Sequence, residues 1–324
     1  MKPKIKIILL SLLVSVALML LKFTAYFITH SNAVLTDAAE SIVNVLASSF
    51  AFYSIYLAGL PRDQNHPYGH GKVEFFSAFV EGTLIMIAGI VIISKSIYNV
   101  FYPQELSQIL EGSFIIGFTG LVNGLLGWYL INKSKTLNSL TLQADGKHLL
   151  TDAVSSFGLV VGLLLIYITS INWLDSAISI ALGFYIIYNG YRLTRKSVGG
   201  LMDESDVVVV EEIINYLNKH RKEEWIDIHN LRTQQYGSEI HIDCHVTLPY
   251  YFDLNKVHHE VTDIDRVINK NVNVAIEFFI HADPCIPQCC HYCSMKNCEV
   301  RTEPKTKTIN WSLENVTKNN KHFE

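Results

Sequence analysis

Several features that define other classes of protein are missing from this sequence. Lysine and arginine form no compact stripe, and the net charge is −4 over 324 residues, which argues against nucleic acid as a partner. The motif His-Glu-x-x-His, which supplies two zinc ligands and a general base in metalloproteases, does not occur, and no arrangement around a nucleophile replaces it. A zinc hydrolase is therefore disfavoured, and the chain is predicted not to be an enzyme.

A cleavable signal peptide is missing as well. The N-terminus carries lysines and then a long apolar run, but Lys22 and Phe23 stand where small residues should mark a cleavage site. Apolar runs continue to about residue 193, whereas the sequence from Asp203 onward is charged and alternating. This asymmetry predicts a membrane domain followed by a soluble domain.

Basic residues are absent from three connections between the apolar segments, at 30–32, 102–111 and 170–172. Lysine and arginine instead precede the first segment, lie in the other two connections and follow the last segment, so both termini are predicted to be cytoplasmic. This arrangement fits a bacterial inner (plasma) membrane, and it fits an organelle as well. Six segments are long enough to cross a lipid bilayer: 5–28, 33–59, 75–101, 112–132, 141–168 and 172–193.

Beyond the apolar segments, the hydrophobic pattern changes to shorter amphipathic helices and alternating strands. The stretch Gly199-Gly200-Leu-Met-Asp203 is expected to break the helix and begin the soluble domain, and helices are predicted at 207–220 and 254–269. Strands are predicted at 226–235, 239–248 and 272–281, which gives the order αββαβ, with one sheet and its helices on one face. The predicted fold is a membrane α-helical bundle of six transmembrane helices (1–200), followed by a small cytoplasmic α+β (αββαβ) domain (201–284). Residues 285–324 are predicted to form a cysteine-rich and then polar tail, poorly ordered beyond about Lys305.

Two of the apolar helices each carry two polar side chains four residues apart. His148 and Asp152 lie in the fifth segment, and Glu40 and Asn44 lie in the second. Such pairs project from one face of a helix, and ionisable groups within a membrane usually face a partner, a cavity or an ion path. Two such faces can close a four-ligand metal site between the helices. The alternative is a pair of helix ends that remain in water.

The connection between the second and third segments contains three potential metal ligands, Asp63, His66 and His70. Pro67 and Gly69 bend the backbone between them. Neutral imidazoles and a carboxylate suit Zn²⁺ or a similar ion. The same residues also fit a polar loop whose histidines cap the next helix.

Five of the six cysteines are crowded near the C-terminus: Cys285, Cys289, Cys290, Cys293 and Cys298. Cys290 and Cys293 have the spacing of a zinc knuckle, and a third thiolate would complete a sulfur-rich site. This crowding suits metal or redox chemistry in a reducing compartment better than a disulfide framework. The alternatives are a cluster that passes metal on or senses its level, and thiols that bind no metal.

The chain resembles the cation diffusion facilitator family in four segments: Ser31-Asn-Ala-Val-Leu-Thr-Asp37-Ala, Asn65-His66-Pro-Tyr-Gly-His70-Gly-Lys72-Val-Glu74-Phe, His148-Leu-Leu-Thr-Asp152 and Gly200-Leu-Met-Asp203. The resemblance spans about residues 5–284. It implies a proton-coupled exporter of divalent metals with six membrane helices and a metallochaperone-like cytoplasmic domain. It also implies a homodimer embedded in membrane lipid, with protons as counter-ions.

The resemblance assigns roles to residues by position. The transport site would comprise Glu40, Asn44, His148 and Asp152, with Asp37 on the ion path, and the loop site would comprise Asp63, His66 and His70. Lys72 and Asp203 match a charge interlock that steadies the dimer. The cytoplasmic metal positions would be His229, His245, His258, His281 and Asp283, and His259 competes with His258.

This sequence departs from the family at two transport ligands. Members usually have Asp or His at the position of Glu40, and Asp at the position of Asn44. The site therefore loses one negative charge, and it suits Mn²⁺, Fe²⁺ or Co²⁺ as well as Zn²⁺, which is the first choice. Asn44 also keeps open a membrane-anchored metal-binding sensor that does not transport.

Overall fold

The computed structural model describes residues 2–29, 32–102, 109–169, 173–237, 239–271 and 275–322. The chain divides into two compact units. We call Met1–Leu201 the helical unit and Met202–Glu324 the sheet unit.

Long helices make up the helical unit. Three segments in this unit, among the described residues, are long and apolar enough to cross a membrane: Pro3–Thr24, Val73–Phe101 and Phe114–Leu137. A helix of about 20 residues already spans the hydrocarbon core, so each of these segments is sufficient by length. The count of six spans stays a prediction. The helices are α1 (Lys2–Thr29), α2 (Asn32–Ala58), α3 (Val73–Phe101), α4 (Ile109–Leu137), α5 (Leu140–Thr169) and α6 (Trp173–Leu201).

Glycines let α3 and α6 approach closely. A Cβ at Gly82 would lie 3.0 Å from Gly190 O, and a Cβ at Gly190 would lie 2.8 Å from Gly82 O. The α6 helix ends at Leu201, inside the stretch Gly199–Asp203 that is predicted to break it. Gly200 also serves packing, since a Cβ there would overlap the ring of Phe75 on α3. Small residues at such crossings allow backbone contact between membrane helices.

The sheet unit contains α7 (Val207–Lys219), β1 (Asp227–Tyr236), β2 (Glu239–Leu248), α8 (Leu254–Asn271) and β3 (Ala275–Pro284). A 3-10 turn (Pro287–His291) and a short α9 (Leu313–Val316) follow. The strands form one sheet in the order β1-β2-β3, in which β1 and β2 are antiparallel and β2 and β3 are parallel.

Strand alternation gives the sheet two different faces. Ile240, Ile242 and Cys244 on β2 are buried in one apolar core together with residues of α7 and α8. Successive side chains of a strand point to opposite faces, so the polar residues between them project from the other face. The register then sets His229, His245 and His281 side by side across the three strands.

The residues beyond Lys305 are packed onto the sheet unit, and the expectation of poor order there is wrong. Trp311 and Val316 are buried in the same core as α7 and α8. Arg221 lies 3.9 Å from the centroid of the Trp311 ring and donates to Ile309 O at 2.6 Å. A bulge in β1 leaves the N–H of Asn230 free of the ladder, and this group donates to Lys318 O at 2.7 Å.

Replacement of Trp311 by alanine should weaken the sheet unit by about 3–5 kcal/mol, because a buried indole leaves a cavity and Arg221 loses its aromatic partner. Hydrogen exchange of peptides from α7 and β1, measured in the full-length protein in detergent, reports the change. Glu314→Ala is the control, since that side chain is 89% exposed. Equal protection in Trp311→Ala and Glu314→Ala would show that the tail adds nothing to this core.

Candidate metal centres

A polar contact joins α2 and α5 inside the helical unit. Asn44 Nδ2 donates to Asp152 Oδ2 at 2.6 Å, and Asn44 Oδ1 lies 2.9 Å from His148 Nε2. His148 Nε2 is also 3.7 Å from Asp152 Oδ2. Three of the four side chains that were expected to form the transport site therefore converge on one point. The side chains of Glu40 and Asp37 lie outside the described residues, so their parts in the site stay predictions.

The hydrogen bonds fix how these groups are oriented. Because the amide nitrogen of Asn44 donates to Asp152, its oxygen faces the imidazole, and Nε2 of His148 acts as the donor to it. The Nδ1 atom of His148 is buried and has no hydrogen-bond partner. A metal ion bound at Nε2 would take the place of this proton, and the neutral imidazole would then carry its proton on Nδ1.

A second polar contact lies one turn along the same two helices. Asp145, which is buried, accepts from Ser11 Oγ at 2.6 Å and from Ser48 Oγ at 3.0 Å. Ser48 follows Asn44 by four residues on α2, and Asp145 precedes His148 by three on α5. The polar side chains thus form a continuous column between the helices.

The loop between α2 and α3 brings its three predicted ligands together. Asp63 Oδ1 is 3.1 Å from His66 Nδ1, and Asp63 Oδ2 is 3.3 Å from His70 Nε2. Gly69 makes this possible with a φ of +84°, a conformation that side-chain-bearing residues rarely adopt. The backbone N–H of His66 donates to Asp63 and holds the pKa of that carboxyl below its ordinary value. An ionised carboxylate beside two imidazoles is a sound ligand set for a divalent ion.

The polar face of the sheet holds a second group of ligands. Asp283 Oδ2 lies 3.4 Å from His229 Nε2 and 3.5 Å from His245 Nδ1. His281, which is largely exposed, lies 3.0 Å from the other carboxylate oxygen. Strand register explains the cluster, because the three histidines are paired across the sheet and Asp283 follows His281 by two residues on the same face.

Burial favours the protonation states that bind a metal ion in this group. Burial lowers the pKa of His229, which keeps the imidazole neutral and able to bind metal. His229 Nδ1 is buried without a hydrogen-bond partner. Burial opposes ionisation of Asp283, but Lys321 Nζ at 3.5 Å and the neighbouring imidazoles outweigh it, and the pKa of Asp283 is lowered. Lys321 comes from the C-terminal tail, whose position sequence reasoning missed.

The structure does not bring His258 into contact with this cluster. Its side chain is exposed on α8, and the competing residue His259 lies beside Glu260 and Asp263 instead. Those two carboxylates already accept from Lys222 Nζ, at 2.8 and 2.6 Å. The group on α8 is therefore better explained as an ion-pair network than as a metal site. The pairing of Lys72 with Asp203 stays a prediction.

Comparison with known proteins assigns the chain to a family. The profile of the cation efflux transmembrane domain matches residues 8–202, and that of the cation efflux protein cytoplasmic domain matches residues 206–285. The chain belongs to the cation diffusion facilitator family. Divalent-cation efflux is the activity of this family, whose members are integral membrane transporters, and the resemblance inferred from the sequence is confirmed.

Relatives cover most of the chain. An uncharacterized transporter from Synechocystis sp. is 34% identical over 263 residues, which are 81% of this chain and 85% of that protein. A cadmium, cobalt and zinc/H(+)-K(+) antiporter from Bacillus velezensis is 25% identical over 80% of this chain and 84% of its own length. A manganese efflux system protein from Bacillus subtilis is 27% identical over 86% of this chain and 95% of its own length. Cation diffusion facilitators of similar length thus carry the names of different metals.

One buried carboxyl in this cation diffusion facilitator was missed from the sequence. Glu81 lies in the apolar helix α3 and is 0% exposed, and neither of its carboxylate oxygens has a hydrogen-bond partner among the residues that the structure describes. The carboxylate of Asp145 is near enough to interact with it electrostatically. A glutamate within an apolar run is itself the sequence signal that should have marked the position.

Glu81→Met should raise the stability of the protein by on the order of 1–3 kcal/mol, because an unpartnered polar group is removed from the interior. Glu74→Met is the matched control on the same helix. Glu74 is also buried, but it accepts from Lys4 Nζ at 2.9 Å and from Ser139 Oγ at 2.6 Å. The control should lose about 3 kcal/mol or more, since it leaves Lys4 without its partner. Thermal unfolding in detergent measures both variants, and a similar loss in each would contradict this account of Glu81.

Asp283→Asn should lower the number of zinc ions bound per chain of the full-length protein by one. The comparison is made at a free zinc concentration that fills the sites of the wild type. His258→Gln should leave the stoichiometry unchanged, because the structure keeps that side chain away from the cluster. Equilibrium dialysis in detergent, followed by metal analysis, makes the comparison. A loss in His258→Gln as large as that in Asp283→Asn would place His258 among the ligands.

Proposed function

We propose that this protein exports divalent metal ions from the cytoplasm in exchange for protons, by alternating access in a homodimer with six membrane helices per chain and cytoplasmic termini. Zn²⁺ is the first-choice cargo. The observation that carries the proposal is the convergence of Asn44, His148 and Asp152 between α2 and α5, inside the unit that matches the cation efflux transmembrane domain.

The contacts of these three residues support proton exchange. Imidazole and carboxylate groups bind a metal ion only when they are deprotonated, so metal entry displaces protons and protonation releases the metal. His148 is the natural carrier, because an imidazolium must release one proton before its Nε2, which faces Asn44 Oδ1, can bind a cation. A relative whose name includes H(+)-K(+) antiport supports the same coupling.

The ligand set supports zinc and admits other metals. One imidazole nitrogen and a carboxylate oxygen are common zinc ligands, and the amide oxygen of Asn44 adds a neutral donor. A site with more oxygen and less charge also suits Mn²⁺, Fe²⁺ and Co²⁺. Relatives named for cadmium, cobalt and zinc and for manganese show this range within the family.

The loop and sheet groups act as regulatory sites in this proposal. Both lie outside the helix pair that carries the transport residues, and each combines imidazoles with one carboxylate. Lys321 Nζ rests against Asp283 at 3.5 Å, so a metal ion bound by His229, His245 and Asp283 would take over the neutralisation of this carboxylate. The match to the cytoplasmic domain of cation efflux proteins supports a homodimer, whose two sheet units would respond to metal.

A metal sensor without transport is the second candidate, and the amide of Asn44 favours it. Asn44 Nδ2 donates to Asp152 at 2.6 Å and so uses a lone pair that a cargo ion would need. If this bond persists, the site binds metal too weakly to move it, and the loop and sheet groups become the functional sites.

Transport into inside-out proteoliposomes separates the two candidates. We expect uptake of Zn²⁺, with acid leaving the vesicle lumen as reported by an internal pH dye, and a loss of at least about a hundredfold in Asp152→Ala, which removes a charged ligand. Asp265→Ala, which removes an exposed carboxylate of α8, should transport normally. Asn44→Asp should shift the preference among Zn²⁺, Mn²⁺, Fe²⁺ and Co²⁺. Absence of uptake for all four ions, with zinc binding intact, would favour the sensor.

A further inference from the structure

The tail that follows β3 folds around a cavity lined by cysteines. The cavity has a volume of about 290 Å³, and all five cysteines of residues 285–298 lie in its wall. The wall also includes Pro249, Tyr250 and Tyr251 after β2, and Val300 and Arg301 of the tail. These cysteines are free thiols, and none of them belongs to the transport, loop or sheet groups described above.

Cys289 differs from the other four cysteines. It is 1% exposed, packs with Ile226 and Tyr292, and has its Sγ 3.3 Å from the Tyr292 hydroxyl. These contacts explain the side chain as part of the core. Removing it leaves the spacing Cys-x4-Cys-x2-Cys-x4-Cys, formed by Cys285, Cys290, Cys293 and Cys298.

Two of these thiols are set in a mostly apolar surrounding. Burial raises the pKa of Cys285 and of Cys293, and the backbone N–H groups of Tyr250 and Met295 offset part of that effect. Backbone N–H groups beside sulfur also tune metal centres that thiolates hold.

Cys290 lies beside a hydroxyl group and a cation. Thr302 Oγ1 is 3.7 Å from Cys290 Sγ, and the guanidinium of Arg301 is bound to the backbone of the same cysteine. A nearby arginine and backbone donors are the surroundings in which cysteines act as ligands or nucleophiles.

Arg301 also holds the loop in shape. Its guanidinium donates to the carbonyl oxygens of Cys290 at 3.1 Å, Cys293 at 3.3 Å and Met295 at 2.7 Å. Three carbonyl groups of one short loop are thus tied to a single side chain. The positions of the thiols are fixed by the fold before anything binds to them, as a built site requires.

The distances between the sulfurs bear on what would bind. A single tetrahedral ion with bonds of about 2.3 Å would hold its sulfurs about 3.8 Å apart. Among the described residues, the groups whose ligand atoms lie within 4.8 Å of one another include no cysteine. The four thiols instead surround a cavity, and the start of their spacing, Cys-x4-Cys-x2-Cys, is one that holds iron–sulfur clusters.

We propose that Cys285, Cys290, Cys293 and Cys298 form a four-thiolate site for a soft transition-metal centre, separate from the exported ion. The four sulfurs are too far apart for one tetrahedral ion and surround a cavity, which favours an iron–sulfur cluster over a single Zn²⁺ or Fe²⁺ ion. Cys289 is not a ligand and serves to pack the loop.

Metal analysis of the full-length protein, purified in detergent without oxygen, tests the site. The measurements are bound iron and zinc, acid-labile sulfide, visible absorption and the number of thiols that react with a thiol reagent. Iron with sulfide would identify a cluster, whereas one zinc or iron ion without sulfide, protected from removal by the four thiols, would identify a single ion. Either result supports the site.

Serine replacements assign the ligands. Cys285→Ser, Cys290→Ser, Cys293→Ser and Cys298→Ser should each lose the centre, while Cys289→Ala and Cys244→Ala should keep it. Cys244 is a buried thiol on β2 that does not line the cavity, so it controls for loss of a core cysteine. Cys290 and Cys298 are partly exposed, and their variants test the site even if Cys293→Ser fails to fold.

Two results together would overturn the proposed site. The purified protein would carry no iron or zinc at these positions, and all four thiols would still react freely after incubation with iron and sulfide or with zinc. Loss of the centre in Cys289→Ala but not in Cys290→Ser or Cys298→Ser would also overturn the ligand set. The transport residues are untouched in every variant, so these results do not depend on the proposed export.

Discussion

The hydrogen-bonded contact of Asn44, His148 and Asp152 is the constraint on which the helical unit depends. Polar side chains inside a membrane protein are costly unless they find partners there, so α2 and α5 must face each other at this level. The serine contacts of Asp145 extend the same requirement by one turn. In the proposed transport, a cation that enters between these helices would replace hydrogen bonds that hold them together, and occupancy of the site would be linked to the packing of the helices.

The sheet unit obtains its site by a different physical route. Alternation along each strand sends apolar side chains to the helices and polar side chains to the other face, and register then sets His229, His245 and His281 in one row. If one strand shifted by one residue relative to its neighbour, its histidine would point to the buried face of the sheet. The ligand set is therefore maintained by the same packing of Ile240, Ile242 and neighbours that stabilises the domain.

These two routes explain how much could be predicted from the sequence. Periodicity is a local property, so the strands and the i, i+4 pairs could be predicted from it. The histidines of the sheet were assigned by resemblance, and their alignment in one row depends on the register between strands. The failures concern contacts between distant residues. The packing role of Gly200 depends on the ring of Phe75, which is distant from it in the sequence. The order of the tail depends on Trp311 reaching the core and on a bulge that frees the N–H of Asn230, and neither shows in a polar sequence.

The C-terminal tail also connects the cysteine loop with the polar face of the sheet, which are separate in the sequence. The Tyr292 hydroxyl lies 3.4 Å from Asp227 Oδ2 and 3.3 Å from Cys289 Sγ, and His322 forms a short contact with the same aspartate. Asp227 in turn lies 3.9 Å from His229 Nδ1. Asp227 thus contacts the cysteine loop through Tyr292 and the candidate site on the sheet face through His229. Because a buried carboxylate needs its partners, the position of His229 and the packing of the cysteine loop constrain each other.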